Sequence, residues 1–329
     1  MNSKKLNYKM NPYRFKKLIT KILVVVFRTL LILGISFIIL YPLIESILPA
    51  ITDYNYLGRP NSIWIPLRFG FLSFEIAIHL LDYWSALVKT FIFSTSMMIV
   101  QLFASAIVGY GFAHADFKGS KLLFMFVILT IIVPPQTIML PQYFHFQNFD
   151  IFGIIEFING SSLNLLGKSG VIYLMSALGM GFRSGLFIFL FRQYYKGLPK
   201  ELEEAALIDG CGYFRTFFQI ILPNTASIML TVGVFSFVWN YGDTFYTGLF
   251  AENSGLLAQF LGQRFSTTIW VSNAFNELTL QPQGAQANPL LLGAAQGAAK
   301  VLFILPLLIL YFIIQRKFVQ SFERSGIVG

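Results

Sequence analysis

Long apolar runs separated by charged segments set the plan of this chain. Crossing a bilayer takes about 20 apolar residues at about 1.5 Å of rise each. Such windows predict six spans, over residues 22–43, 90–113, 122–140, 171–191, 226–250 and 301–314, the last with an Ala/Gly-rich approach from Leu292. Arg28 lies near the start of the first, Arg183 within the fourth and Asp243 within the fifth, while the second is uncharged. Pro134 and Pro135 interrupt the third. Proline removes a helix donor, so either that span ends there or a broken helix lines a cavity. Residues 63–81 hold Pro66, Arg68, Glu75 and His79 and read as an outer-surface or interfacial helix rather than a seventh span. The first apolar run exceeds the roughly 7–15 residues of a signal-peptide core and reads as a retained helix. The expected fold is an all-α polytopic membrane protein with six transmembrane helices.

Composition supports this and narrows it. Charged residues make up 12% of the 329 residues, about half the roughly 25% of a soluble globular chain. One cysteine leaves no intramolecular disulfide framework or thiolate cluster. The net charge of +9 is a topology signal once it is located. Lys4, Lys5, Lys9, Arg14, Lys16, Lys17 and Lys21 precede the first span without an acid among them. Lys118 and Lys121 follow the second span, Arg192, Lys196, Lys200 and Arg215 the fourth, and Arg316, Lys317 and Arg324 the last. Cations mark cytoplasmic loops, so both termini are expected in the cytoplasm, and no nucleic-acid partner is needed to explain the charge. The chain then divides into a basic tail (1–21), the first span (22–43), an extracytoplasmic linker (44–89) and a core with five spans (90–329). Two loops of the core stand out, a cytoplasmic one over 192–224 and an extracytoplasmic one over 251–296. The outer loop is rich in Asn, Gln, Gly and Ser and reads as irregular and exposed. It is either a docking surface or a tolerated insertion.

The cytoplasmic loop has a definite pattern. Pro199 precedes a run of helix formers, Lys200 to Ile208, with Glu201, Glu203 and Glu204 in its first turns, where the helix dipole favours acids. Gly210 and Gly212 interrupt it, and a second short helix over 214–221 is expected to end at Pro223. Phe214, Phe217, Phe218 and Ile221 fall on one face of that helix, and Ala205 and Ala206 keep the first one slim. Two short helices around a glycine elbow suit insertion into a partner's groove, and an amphipathic loop lying on lipid would also explain the Phe stripe.

Glu204-Ala205-Ala206, three residues, Gly210, nine residues, then Ile220, one residue, Leu222 and Pro223 resembles the EAA signature of ABC-importer permeases. Gly109 to Phe124, Ile131 to Tyr143, Gly185 to Gly210 and Phe318 to Gly329 are similar to the sugar-importer branch related to the second membrane subunit of the maltose system. Ser321 and Ser325 stand where small or glycine residues are usual. The resemblance covers residues 85–329, and the 251–296 loop is longer than in ordinary members. It implies a type I importer permease that forms half of a translocation pathway in a bacterial or archaeal cell membrane. The implied partners are a second permease subunit, two cytoplasmic ATPase subunits and an extracytoplasmic sugar-binding protein. ATP and Mg²⁺ would belong to the ATPase, with no cofactor on this chain. The resemblance makes Glu204, Ala205, Ala206, Gly210, Ile220, Leu222 and Pro223 the ATPase-coupling residues, with Glu204 docking through a charge-assisted contact. Glu201 and Glu203 read as solvated acids.

Charged groups within spans usually face the protein interior or a cavity. Trp239, Asn240, Tyr241 and Asp243 are therefore candidate pathway residues that could contact a sugar, with subunit packing or a position near the outer surface as the plainer readings. Arg183 reads as a snorkelling or paired residue. Gly167-Lys168-Ser169 ends like a phosphate loop, but Ser162 stands where its leading glycine belongs, which rejects nucleotide binding. His79, His114 and His145 lack metal-ligand spacing, Cys211 reads as incidental, and no catalytic constellation stands out. A secondary active transporter would show repeated broken helices and ion-coupling charges, which are not evident. An ABC-importer permease for a non-sugar polar solute such as glycerol phosphate is the alternative within the class.

Overall fold

The computed structural model describes residues 12–59, 65–115, 117–167, 169–199, 201–282 and 288–326. Lys4, Lys5, Lys9, Lys168, Lys200 and the 283–287 portion of the outer loop lie outside them. Apart from two isolated antiparallel bridges, Thr52–Phe69 and Phe149–Leu163, the regular structure of the described residues is helical. In chain order the helices are α1 (Pro12–Ala50), α2 (Leu72–Leu81), α3 (Tyr83–His114), α4 (Ser120–Ile132), α5 (Pro135–Gln147), α6 (Ile154–Asn159), α7 (Gly170–Ala177), α8 (Ser184–Lys196) and α9 (Glu201–Ile208). There follow α10 (Tyr213–Asn224), α11 (Ala226–Tyr241), α12 (Phe245–Phe250), α13 (Leu257–Arg264), α14 (Thr268–Thr279) and α15 (Pro289–Gly326).

The chain is an all-α, multi-pass membrane protein. Among the described residues three helices are long and apolar enough to cross a bilayer, within α1, α3 and α15. The count rises to five if the bent pairs α4–α5 (106°) and α10–α11 (80°) are each one span. The fourth expected span is divided instead. α7 and α8 are separated by residues 178–183, where Gly179 takes φ +73° and a Cβ on Gly181 would overlap the Ser176 side chain. A hydropathy window averages over those glycines and does not register the break. The fifth ends early, at Tyr241, and resumes as α12 after Gly242–Thr244. The third breaks at Val133–Pro134, and the break also borders a cavity, so both sequence readings of that proline pair describe part of it.

α3 is the central packing element. It carries Ser94, Ser105, Ala106 and Gly109 on buried faces, and small residues let membrane helices approach closely. A Cβ on Gly109 would stand 2.7 Å from Phe191 Cβ of α8. α1 behaves differently. No residue in the most apolar stretch of its membrane-crossing part is buried by this chain, and its contact with α15 includes a close approach in which a Cβ on Gly297 would overlap the Ser46 carbonyl.

Two expectations about the outer segments need correction. Within residues 63–81 the helix is only ten residues long, and it is built into the core rather than laid on a surface. Ile76, Ala77 and Leu81 are fully buried, in one apolar cluster with Val271, Phe275 and Leu291. The 251–296 loop contains two helices, α13 and α14, which bury Leu257, Ala258, Val271, Ala274 and Phe275. Gln263, Asn273 and Glu277 sit on exposed faces of those helices while Gln259 and Asn276 are buried beside the apolar residues, a mixture that conceals the helical spacing from a composition reading.

Candidate functional sites

The elbow of the 192–224 loop is built by helix-end chemistry. α9 ends in a reversal in which Asp209 N–H donates to Ala205 O (3.0 Å) and Cys211 N–H to Ala206 O (2.9 Å). Gly210 adopts φ +79° there, the left-handed turn that favours glycine. Gly212 is extended (φ −75°, ψ 164°) and begins α10. Glu204 and Ala205 face outward with Ile208 (86% exposed), while Ala206 is buried.

The expected boundary before Pro223 is displaced. The helical run continues to Asn224 and the bend comes at Thr225. Residues Phe217–Ile221 form a π turn, with Leu222 N–H donating to Phe217 O. A wider turn just ahead of Pro223 moves the carbonyl that its ring would otherwise strike. Asn224 Nδ2 then closes on Ile220 O at 2.7 Å. The Phe stripe is split. Phe217 and Ile221 are buried, whereas Phe214 (80%) and Phe218 (47%) are exposed. Phe217 lies against the rings of Tyr110 and Tyr195, with centroids 5.0 and 6.4 Å away.

Glu203 is not a solvated acid. Its carboxylate accepts from Tyr110 Oη at 2.5 Å, and His114 Nδ1 stands 2.7 Å from its second oxygen. Both residues belong to the end of α3, so α9 is tied to the central helix. No local pattern announces a pair 89 positions apart, and the spacing search that set His114 aside as a metal ligand could not assign it a partner. Among the described residues no group of three or more His, Cys, Asp and Glu is placed to hold a metal, and no catalytic constellation is evident.

A second cluster lies within the bundle. Gln101 of α3 accepts from Ser236 Oγ (2.5 Å) and Asn240 Nδ2 (3.0 Å) of α11, and its own Nε2 donates to Phe182 O (3.2 Å). Asp243 is buried and serves as the cap of α12, accepting from the N–H groups of Phe245, Tyr246 and Thr247 at 3.3, 3.3 and 2.8 Å. Tyr241 Oη donates to Phe303 O at 3.1 Å. Trp239 is half-buried, stacked between Phe187 and Phe235. The four candidate pathway residues thus sit together in sequence but hold different internal partners. Arg183, expected within a helix, occupies the α7–α8 break at φ +59° with its guanidinium 4.6 Å from the Trp239 ring.

These features lie at one level. Measured from the end of the bundle where α9 and α10 sit, Gln101, Val133, Arg183 and Asn240 are each 13 or 14 residues along α3, α4, α8 and α11. That is about 20 Å at about 1.5 Å per residue. In a hydrocarbon core of about 30 Å this is near mid-depth. Three helix breaks and a buried amide network therefore share one layer.

The family described as "Binding-protein-dependent transport system inner membrane component" matches residues 101–324. Among individual proteins, the chain is 28% identical over 262 residues to the "Probable starch degradation products transport system permease protein AmyC" of Thermoanaerobacterium thermosulfurigenes, covering 79% of this chain and 82% of that one. It is 25% identical over 299 residues to the "Arabinooligosaccharides transport system permease protein AraQ" of Halalkalibacterium halodurans, covering 90% and 93%. Among solved structures, a chain of a bacterial ABC transporter involved in the import of the acidic polysaccharide alginate superposes with a TM-score of 0.62. That match covers 94% of this chain and 99% of that one at 16% identity, and it speaks for the fold alone.

Proposed function

We propose a function from one premise: the chain belongs to the family of binding-protein-dependent transport system inner membrane components. On this reading it is the permease subunit of an ATP-driven carbohydrate importer, with six spans formed by α1, α3, α4–α5, α7–α8, α11 and α15. A second permease completes the pathway, two copies of a cytoplasmic ATPase dock beneath, and an extracytoplasmic binding protein delivers solute. The carbohydrate assignment is supported by relatives named for starch degradation products and arabinooligosaccharides.

The observation that carries the coupling assignment is the exposed elbow. Glu204, Ala205, Gly210, Ile208 and Phe214 face outward on two short helices, a shape that fits a groove in another protein. Glu204 supplies the charged contact, Ala205 and Ala206 keep the helix slim, and Gly210 sets the angle. Ile220, Leu222 and Pro223 carry the elbow into α11. In the pathway, Trp239, Asn240, Tyr241 and Asp243 form the supporting wall, with Trp239 the member that meets solute. The chain itself holds no nucleotide; ATP and Mg²⁺ act in the ATPase.

The test is gentle detergent co-purification of the tagged chain from its native membrane, with mass identification of what accompanies it. A second permease and an ATPase are expected. Glu204→Lys should leave this chain in the membrane and abolish solute-stimulated ATP hydrolysis. Recovery of the chain alone even after crosslinking, or normal stimulation in Glu204→Lys, would overturn the reading.

A further inference from the structure

Two helix breaks face each other across a cavity of about 200 Å³. One wall is the α4–α5 break, with Thr130, Val133 and Pro135, and the other is the α7–α8 break, with Gly181, Arg183 and Ser184. α4 and α8 approach so closely below it that a Cβ on Gly185 would overlap Thr130 Oγ1. The cavity is lined mostly by apolar side chains, among which a few polar groups stand out. Ser184 is 1% exposed and its Oγ has no hydrogen-bond partner, and Gln142 Oε1, on the opposite wall, is buried and also without one. Buried polar atoms left unpaired each cost about 1–3 kcal/mol, and two of them lining one cavity mark a place where a ligand can supply the missing bonds.

Arg183 adds a charge. Among the described residues no carboxylate lies within ion-pair distance of its guanidinium, which packs on the rings of Trp239 and Phe182 at 4.6 and 5.2 Å. Its backbone is held in a left-handed conformation at φ +59°, which is unfavourable for a residue with a Cβ. A cation near the middle of a bilayer is costly and calls for a counter-charge. The aromatic faces offset part of that cost, roughly 0.5–2 kcal/mol, and leave the guanidinium's planar donors free for a carboxylate.

Resting on the carbohydrate reading above, we propose that this cavity is a solute subsite and that Arg183 selects a sugar bearing a carboxylate. The acidic group sits on the Arg183 guanidinium, and hydroxyls of the same sugar satisfy Ser184 Oγ and Gln142 Oε1. The cargo is then a uronate-bearing oligosaccharide or a derivative of one rather than a neutral one.

The experiment uses cells carrying the complete transport system. They are given a hydrolysed polysaccharide mixture that holds neutral oligosaccharides beside uronate-bearing ones, and depletion of each species is followed by mass spectrometry. Uronate-bearing species are expected to be taken up. Arg183→Gln should raise the concentration for half-maximal uptake about tenfold or more. Arg183→Lys, which keeps the charge and loses the planar fork, should recover part of that loss. Uptake of neutral species alone overturns the proposal, whether or not Arg183→Gln weakens it. Uptake of acidic species that is indifferent to Arg183→Gln overturns it too. Depletion of no saccharide of either kind overturns the carbohydrate reading itself, and the subsite with it.

Discussion

The elbow between α9 and α10 contains two glycines that make different demands. Gly210 sits at φ +79°, while Gly212 sits at φ −75° and ψ 164°, a conformation open to any residue. A Cβ added at either meets nothing within 4 Å, so steric overlap plays no part and the backbone alone distinguishes them. Alanine in the left-handed region costs roughly 1–2 kcal/mol. Placed on a two-state elbow, that shifts the ratio of native to displaced elbow by a factor of about 5–30. In the proposed importer the elbow fixes the angle at which α9 meets the ATPase. Gly210→Ala should therefore lower solute-stimulated ATP hydrolysis of the reconstituted complex about fivefold or more. Gly212→Ala should stay within about twofold, since no strain is introduced there. Gly210→Asn should fall between them, because asparagine tolerates the left-handed region better than alanine. Equal losses from Gly210→Ala and Gly212→Ala, or no loss from either, would refute the backbone argument.

Two further outcomes concern stability. Asp243→Ala strips the buried cap from three N–H groups of α12 and should destabilise the detergent-solubilised protein by about 1–3 kcal/mol, read as a lower thermal midpoint; Asp243→Asn keeps one acceptor and should recover part of it. Gly297→Ala forces α15 away from the Ser46 carbonyl of α1 and should cost about 1–3 kcal/mol. Gly293→Ala, on the same helix with nothing within 4 Å of its Cβ, should leave the midpoint unchanged or raised.

The sequence carries the membrane helices as blocks and hides their interruptions. Residues 22–43 and 301–314 grow into α1 and α15, longer at both ends, because helix formation continues past the apolar window once a neighbour or headgroup region accepts the ends. The α7–α8 break was not legible, since its glycines lie among apolar residues that raise the average. The Pro134–Pro135 break was legible, because proline acts through its own backbone. At the elbow, the short first helix and the glycine turn follow from local residues, as local chemistry dictates them. The fate of Glu203 depends on Tyr110 and His114, which only the tertiary fold brings near. The buried positions of Asn240, Tyr241 and Asp243 likewise depend on partners at Gln101, Phe303 and Thr247, two of them far along the chain.

These contacts give the proposed coupling a physical route. α9 is held to α3 by Glu203, through Tyr110 and His114. α10 is held to the same end of α3 by Phe217 against Tyr110. α3 is a single uninterrupted helix over 32 residues, and Gln101 lies 9 and 13 positions above those anchors, about 14–20 Å at about 1.5 Å per residue. There Gln101 holds Ser236 and Asn240 of α11 and the backbone of Phe182, next to Arg183. In the proposed importer, a displacement of the elbow would reach the mid-depth layer through this one uninterrupted helix, beside α4–α5 and α7–α8, which are broken at the same level. On that proposal α3 is an unbroken lever beside interrupted helices. Its weakest points are the two ends of the lever, Glu203 and Gln101, where a few hydrogen bonds stand between motion and response.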